Sequence, residues 1–216
     1  MVVERRGTIG RVSPPDQHRR ASGQPRRDAG GRGAVLAAVV DVLLTDGFEG
    51  VSIRRVATRA GVSIGAVQHH FPTKDAMLEA AMEHASEVVA EDVRAALAAP
   101  GPPAERLRAV VAALVGARPD QRPATVLWVA RLARAEVHPP AAQRHAEEWG
   151  FLEQLLDDLL AAALPALAAA PRAQEAAALL ALADGLAVAV AREPARMPPG
   201  RALAVAAAHL DRLLAG

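Results

Sequence analysis

Residues 51 to 78 of this chain have the sequence VSIRRVATRAGVSIGAVQHHFPTKDAML. Ser52, Ser63 and Thr73 each precede a run with apolar residues at helical spacing, and hydroxyl side chains at such positions are typical helix N-caps. Gly61 favours the left-handed conformation that ends a helix, and a Phe-Pro pair ends the second run. The stretch therefore predicts two short helices that meet at a tight corner, followed by a longer helix.

Two short helices joined by a glycine-containing turn have the layout of a helix-turn-helix. Val67 and Phe71 belong to the predicted inner face of the second helix, so its small and polar residues point outward. Small side chains let the backbone approach the floor of the DNA major groove, and a glutamine amide can pair with the edge of adenine. The outward residues on the second helix are Ile64, Gly65, Ala66, Gln68 and His69, and Arg54, Arg55 and Arg59 lie on or near the outer side of the first.

The quoted stretch resembles the N-terminal domain of TetR-family repressors over about residues 33 to 80. The Ala-Gly-Val-Ser, His-His-Phe-Pro and Lys-Asp elements at these spacings carry the resemblance. Trp128 to Arg134 and Leu182 to Leu186 resemble the betaine-regulator subgroup of that family. The resemblance implies a homodimeric, sequence-specific regulator, most often a repressor that a small-molecule ligand releases from a palindromic operator in double-stranded DNA.

The same resemblance implies which residues contact DNA. Lys74, the only lysine in the chain, matches a position at a helix start that holds a phosphate. Gln68 departs from the family pattern, which often has a phosphate-binding tyrosine there, so Gln68 becomes a candidate for reading bases. The full predicted set is Ser52, Arg54, Ser63, Ile64, Gly65, Ala66, Gln68, His69, His70 and Lys74.

Charge is unevenly distributed along a chain whose net charge is only +1. Residues 1 to 32 hold eight arginines against three acidic residues, together with prolines and glycines and few large apolar residues. Such a composition predicts that residues 1–31 are disordered. They could lie along DNA phosphates, or they could be a leader of no consequence. Residues 32 to 82 hold five basic and five acidic residues, so the predicted head is not a basic domain.

The rest of the chain is rich in Ala, Leu and Arg, which predicts an all-α protein of about nine helices. We expect a DNA-binding domain at residues 32–78 and a ligand-binding and dimerisation domain at 79–216. The last two helices are so apolar that they suggest a dimer interface. Proline and glycine positions place the body helices near 103–117, 123–137, 140–169, 172–193 and 199–215, with Pro165 bending the third of these.

Several classes of function find no support in the sequence. It has no cysteine, no glycine-rich phosphate loop and no nucleophile elbow, and its adjacent histidines diverge on a helix, so we expect neither an enzyme nor a metal or cofactor site. The N-terminal arginines are not followed by the apolar stretch of a secretory signal, and no apolar run is long enough for an uninterrupted membrane span, which indicates a cytoplasmic protein. A helical scaffold that binds another protein through its apolar C-terminal helices is the alternative.

The resemblance also implies a ligand pocket enclosed by helices four to eight. Aromatic residues are scarce, which favours an aliphatic or anionic ligand over a caged quaternary cation. The predicted ligand-binding residues are Trp128, Arg131, Leu132, Trp149, Leu152 and Asp184, with Arg134, Phe151 and Leu186 as further candidates.

Overall fold

The computed structural model describes residues 25–136 and 138–215. Within these ranges the regular structure is entirely helical, which confirms the predicted all-α class. A short 3-10 turn, Pro119–Gln121, precedes the sixth helix. The nine α-helices are α1 (Pro25–Asp46), α2 (Ile53–Ala60), α3 (Ile64–His70), α4 (Lys74–Ala98), α5 (Pro103–Leu114), α6 (Arg122–Ala135), α7 (Pro139–Ala163), α8 (Ala169–Arg192) and α9 (Pro199–Ala215).

The three N-caps predicted from the sequence are formed. The Oγ of Ser52 accepts a hydrogen bond of 3.2 Å from the N–H of Arg55, and the Oγ of Ser63 accepts one of 3.0 Å from that of Ala66. Thr73 caps α4 in the same way. Each bond satisfies one of the backbone N–H groups that a helix start leaves without a partner. The caps therefore fix where each helix of the helix-turn-helix begins.

A first hydrophobic core holds α1, α2 and α3 against the start of α4. Val39, Val56, Val67 and Leu78 are completely buried in it. Ala124 and Leu127 of α6 also belong to this core, so the head rests directly on the body. Packing of this kind stabilises two helices that are too short to be stable alone.

A second core joins α5, α7, α8 and α9 to the far half of α4. Leu107, Leu156, Leu160 and Leu179 are its largest completely buried side chains, and Val93 brings α4 into it. Val89, one turn earlier on α4, packs against both cores. A single continuous helix of 25 residues is thus shared by the head and the body.

The N-terminal segment differs in part from the prediction. Composition predicts disorder over residues 1–31, whereas α1 begins at Pro25, so the expectation is corrected for residues 25–31. Proline fits the first turn of a helix because its missing N–H has no intrahelical partner there. Extending a helix from a packed segment also costs less than nucleating one. Residues 1–24 lie outside the described residues.

The boundary between α7 and α8 also differs from the prediction, which continued the seventh helix through Pro165 to residue 169. Instead α7 ends at Ala163, and α8 begins at Ala169. Proline disfavours the helical conformation of the residue before it and cannot donate the next helical hydrogen bond. Pro171 lies in the first turn of α8, where no such bond is needed.

Helix α8 is apolar around most of its circumference. By length and composition alone it is apolar enough to cross a membrane, but the buried core helices of soluble proteins have the same length and composition. In the structure it packs against α5, α6, α7 and α9. Its exposed positions include the small residues Ala178, Ala181 and Gly185. We therefore interpret α8 as the central packing helix of the body.

The left-handed turn between α2 and α3 gives a direct test of the fold. Gly61 has φ +67°, and a Cβ at this position would meet no atom within 4 Å. Gly61→Ala should therefore lower the free energy of unfolding by about 1–2 kcal/mol through backbone strain alone, as measured by chemical denaturation.

Gly150 is the matched control, because it lies within α7 and a Cβ there also meets nothing within 4 Å. Gly150→Ala should raise the free energy of unfolding by about 0.5–1 kcal/mol. Equal effects of the two substitutions would contradict the assigned backbone conformation of Gly61.

Candidate DNA interface and ligand cavity

The outer face of α3 is small and accessible. Ile64 is 46% exposed, which is unusual for so large an apolar side chain in this structure. Gly65, Gln68 and His69 are also exposed, and Ala66 is half-buried. Val67 and Phe71 point into the head core, as the sequence predicts. The helix therefore presents one apolar group and one amide on a surface that a groove could accept.

The arginines of α2 differ in how far they are neutralised. Arg55 forms an ion pair of 3.0 Å with Asp46, and Arg59 pairs with Asp41, so both interact with acidic residues of α1. Arg54 is exposed and has no acidic partner among the described residues. Arg54 is therefore the α2 arginine with a charge still free to meet a phosphate.

Lys74 stands at the start of α4, beside the N-cap Thr73. It is half-buried, and its Nζ lies 5.4 Å from the centre of the Phe48 ring. A cation over an aromatic face is held in place while its donors remain available to an anion. The ring therefore limits where the lysine can reach.

His70 does not share the outward orientation of its neighbours. It is half-buried beside α1, so close to Gly31 that a Cβ on that glycine would lie 3.3 Å from the His70 Nε2. His69 is exposed, with its ring centroid 5.3 Å from that of His70. His69 therefore belongs to the outer face, whereas His70 packs between α3 and α1.

A cavity of about 750 Å³ lies in the body, between α4, α5, α6, α7 and α8. Phe151 of α7 is among its lining residues and is 68% exposed, so this side of the cavity opens to solvent. Five acidic and two basic side chains contribute to the lining. They are Glu83, Glu87, Glu147, Glu148 and Asp184, and Arg94 and Arg131.

The two tryptophans of the chain meet in this cavity. The rings of Trp128 and Trp149 stack with their centroids 5.1 Å apart and an angle of 12° between their planes. The ring centroid of His145 lies 4.3 Å from that of Trp149. Three of the five Phe and Trp residues of the chain, Trp128, Trp149 and Phe151, thus line one cavity, which composition alone could not indicate.

Asp184 of α8 faces the tryptophans, and its Oδ2 accepts a hydrogen bond of 2.7 Å from the Trp149 Nε1–H. Burial raises the pKa of this carboxyl above its ordinary value, and the tryptophan N–H offsets part of that rise. The pKa of His145 is lowered, first by burial and then by the charge of Arg131. Asp184, which has no basic partner among the described residues, therefore contacts Trp149, and Trp149 in turn contacts Trp128 and His145.

The other charges of the cavity are largely paired with protein groups. Arg131 is buried and forms a bidentate ion pair with Glu148, and its guanidinium lies 5.9 Å from the centre of the Trp149 ring. Arg144 of α7, outside the lining, bridges two acidic residues of α4, at 2.9 Å to Glu79 and 2.7 Å to Glu83. These pairs hold α6 and α4 to α7 at the end of the cavity nearest the head.

Most of the predicted ligand-binding residues lie together. Trp128, Arg131, Trp149, Leu152 and Asp184 line the cavity, as does Phe151. Leu132 does not, because Arg131 is the last residue of α6 along the cavity wall, and Leu186 is buried in the body core. The side chain of Arg134 is outside what the structure describes.

The sequence analysis placed the fourth helix at the ligand pocket but named no α4 residue that lines the cavity. Met82, Val89, Val93 and Leu97 line one side of it. Their helical spacing was visible in the sequence, but a stripe of this kind is equally typical of core packing. Its side chains face a cavity only because α7 lies at a distance from this part of α4.

Comparison with known families gives two matches. Residues 35–81 match the family model described as bacterial regulatory proteins of the TetR family. Residues 103–215 match the model described as the C-terminal domain of BetI-type transcriptional repressors. Among curated relatives, the HTH-type transcriptional regulator BetI of Burkholderia thailandensis is 34% identical over 188 residues, covering 85% of this chain and 93% of that protein.

Solved structures agree with these matches. A transcriptional regulator from Rhodococcus sp. Rha1 superposes with a TM-score of 0.74 at 31% identity, covering 86% of this chain and 96% of the other. A regulator from Saccharomonospora viridis, solved in complex with choline, gives a TM-score of 0.76 at 17% identity, with coverage of 85% and 96%. The second likeness shows the fold alone.

Proposed function

Because this chain belongs to the TetR family of bacterial regulatory proteins, with a C-terminal domain of the BetI type, we propose that it is a homodimeric repressor released from a palindromic operator by a small organic cation. Membership makes the chain a DNA-binding transcriptional regulator rather than an enzyme or a scaffold. One observation supports control of DNA binding by a ligand: α4 begins at Lys74, a proposed phosphate contact, and continues as a wall of the cavity. A cytoplasmic location fits such a protein.

The proposed DNA contacts divide by chemistry. On α3, Ile64 is placed to touch a thymine methyl group and Gln68 to pair with adenine, while Gly65 and Ala66 allow close approach. The proposed phosphate contacts are the hydroxyls of Ser52 and Ser63, the cations of Arg54 and Lys74, and His69. His70 packs against α1, so we propose that it supports α3 rather than contacting DNA.

The dimer is proposed because one head carries few free cations. Affinity for DNA grows with the number of phosphates that are neutralised, and two heads double that number. Exposed small residues on α8, and the exposed Leu203 and Val205 on α9, add apolar surface of the kind that homodimers bury. We therefore propose residues 32–78 as the DNA-binding unit and 79–216 as the ligand and dimer unit, with α4 continuing through both.

A cationic effector is proposed from the cavity lining, and this revises the expectation of an aliphatic or anionic ligand. Asp184 supplies a negative charge without a basic partner among the described residues. The neighbouring indole rings supply the electron-rich faces that attract quaternary ammonium groups. The choline-bound regulator from Saccharomonospora viridis has the same fold.

Release requires that the cation prefer a head position that does not fit the operator. Arg144 connects the two sites, since it pairs with Glu79 and Glu83 on α4 and lies next to His145 at the tryptophan cluster. A ligand that displaces α7 would act on α4 through this bridge. We propose the bridge as the contact that passes ligand occupancy to the head.

The DNA interface is tested by a charge-matched pair of variants. The operator is first selected from random duplex DNA by the purified protein, and Lys74→Gln is then compared with Arg59→Gln in a salt titration. Lys74→Gln should weaken operator binding and reduce the slope of log K against log salt by about 1 for each head. Arg59→Gln should change the slope little, because that arginine is already paired with Asp41. Equal slopes for the two variants would argue against a phosphate contact at Lys74.

The effector site is tested with tetramethylammonium. Both tryptophans of the chain line the cavity, so intrinsic fluorescence reports binding directly. Asp184→Asn keeps the acceptor for Trp149 but removes the charge, and it should weaken binding about tenfold or more, equivalent to about 1.4 kcal/mol. The control is Glu87→Gln, a lining carboxylate paired with Arg94, which should change affinity no more than a few-fold.

The same titration should depend on pH. The cation binds ionised Asp184, whose pKa is raised by burial, so affinity should fall as the pH is lowered and should begin to fall at a higher pH than for an ordinary aspartate. Asp184→Asn should remove this part of the profile. The other ionisable groups at the tryptophan cluster are His145, Glu148 and Arg131, and the lowered pKa of His145 keeps its ring neutral near pH 7. A profile unchanged by Asp184→Asn would mean that another group binds the cation.

A further inference from the structure

We propose that the effector has two parts, an ammonium head that binds at Asp184 and an unbranched apolar chain that lies along α4. This inference rests on the proposed function of the cavity as the effector site, and it names the class of ligand more narrowly. The effector is then an amphiphilic cation rather than a small quaternary ammonium compound alone.

The dimensions of the cavity exceed those of a small cation. Lining residues of α4 extend from Met82 to Leu97, a length of roughly 22 Å at the helical rise per residue. The volume of about 750 Å³ falls within the range that suits drug-sized ligands. A head group the size of tetramethylammonium would leave most of this space unfilled.

The walls separate into a polar end and an apolar stripe. Val89, Val93 and Leu97 recur every fourth residue of α4, so they follow one another along about 12 Å of the cavity. Leu114 of α5 and Leu155 of α7 also line the cavity. All five residues are part of the body core or pack against it. A chain placed here would extend an existing hydrophobic core.

The charged side chains beside this stripe already interact with other protein groups, so they do not require a second polar group on the ligand. Glu87 and Arg94, which also line the cavity, pair with each other at its exposed side. Glu147 is exposed and bonded to Gln143. Asp184, by contrast, is partly buried and accepts a hydrogen bond only from Trp149 among the described residues. A partly buried carboxylate without a basic partner among the described residues, beside a long apolar wall, therefore matches one cation and one apolar alkyl chain.

The test is a series of alkyltrimethylammonium salts, from tetramethylammonium to the octyl compound, titrated against the full chain by tryptophan fluorescence below their micelle-forming concentrations. Burial of each added methylene should increase affinity roughly threefold to fourfold until the chain fills the stripe. Octyl sulfate, with the same chain and the opposite charge, should bind much more weakly than octyltrimethylammonium.

Two variants test where the alkyl chain of the ligand lies in the cavity. Leu97→Gln should flatten the dependence of affinity on chain length while leaving tetramethylammonium binding unchanged. Ala90→Leu, which narrows the cavity between the residues of the stripe without removing core volume, should weaken the octyl compound alone. The second variant keeps the test valid if Leu97→Gln is too unstable to purify.

The possible outcomes distinguish the two-part effector from the proposed cation site on which it rests. Affinity that rises with chain length and responds to both variants supports a two-part effector. Tetramethylammonium binding with no gain along the series overturns the two-part effector and leaves the cation site standing. Failure of every member of the series to bind overturns both.

Discussion

The structure depends on α4 being one unbroken helix buried in two hydrophobic cores. Its first turns complete the head through Met77, Leu78 and Ala81, and its later turns enter the body through Val93. Because Val89 packs against both cores, no hinge separates them along this helix. A displacement of α4 at the cavity must therefore be transmitted to the head as a movement of the whole helix.

Polar contacts fix α4 to the body at two levels. Arg144 bridges to Glu79 and Glu83 near the head. Farther along, Asp92 accepts hydrogen bonds from Arg118 at 2.7 Å and from the buried Gln121 at 2.6 Å. The Asp92 contact holds α4 against the 3-10 turn, while the Arg144 contact, nearer the head, lies beside the tryptophan cluster. A ligand bound between these two sets of contacts can tilt α4 only by changing the Arg144 ion pairs or the Asp92 hydrogen bonds.

Local signals in the sequence predicted the head well. Ser52, Ser63, Thr73 and Gly61 act within three or four residues of themselves, so their effect can be inferred without knowing the rest of the fold. The end of α7 was missed because Pro165 was taken as a bend rather than a stop. In the structure Pro165 lies just after the end of α7, and Pro171 lies in the first turn of α8.

The chemistry of the cavity was harder to predict. Trp149 and Asp184 are 35 residues apart, and Arg131 and Glu148 are 17 apart, so no helical periodicity connects them. The sequence identified most of these residues as candidates but could not pair them. Their pairing is the basis for the proposed cationic ligand, since Arg131 is paired with Glu148 while Asp184 has no basic partner among the described residues. The expectation of an aliphatic or anionic ligand rested on the number of aromatic residues, which does not show where they meet in the fold.

The most direct test of this account is the linkage between the two sites. The affinity of tetramethylammonium would be measured on free protein and on protein saturated with its selected operator, for wild type and Arg144→Gln, with sodium chloride at matched concentration because DNA binding depends on salt. If α4 couples the sites, the operator should weaken cation binding by the same factor by which the cation weakens operator binding. That factor should approach one in Arg144→Gln. Equal cation affinity with and without operator in wild type would contradict the account.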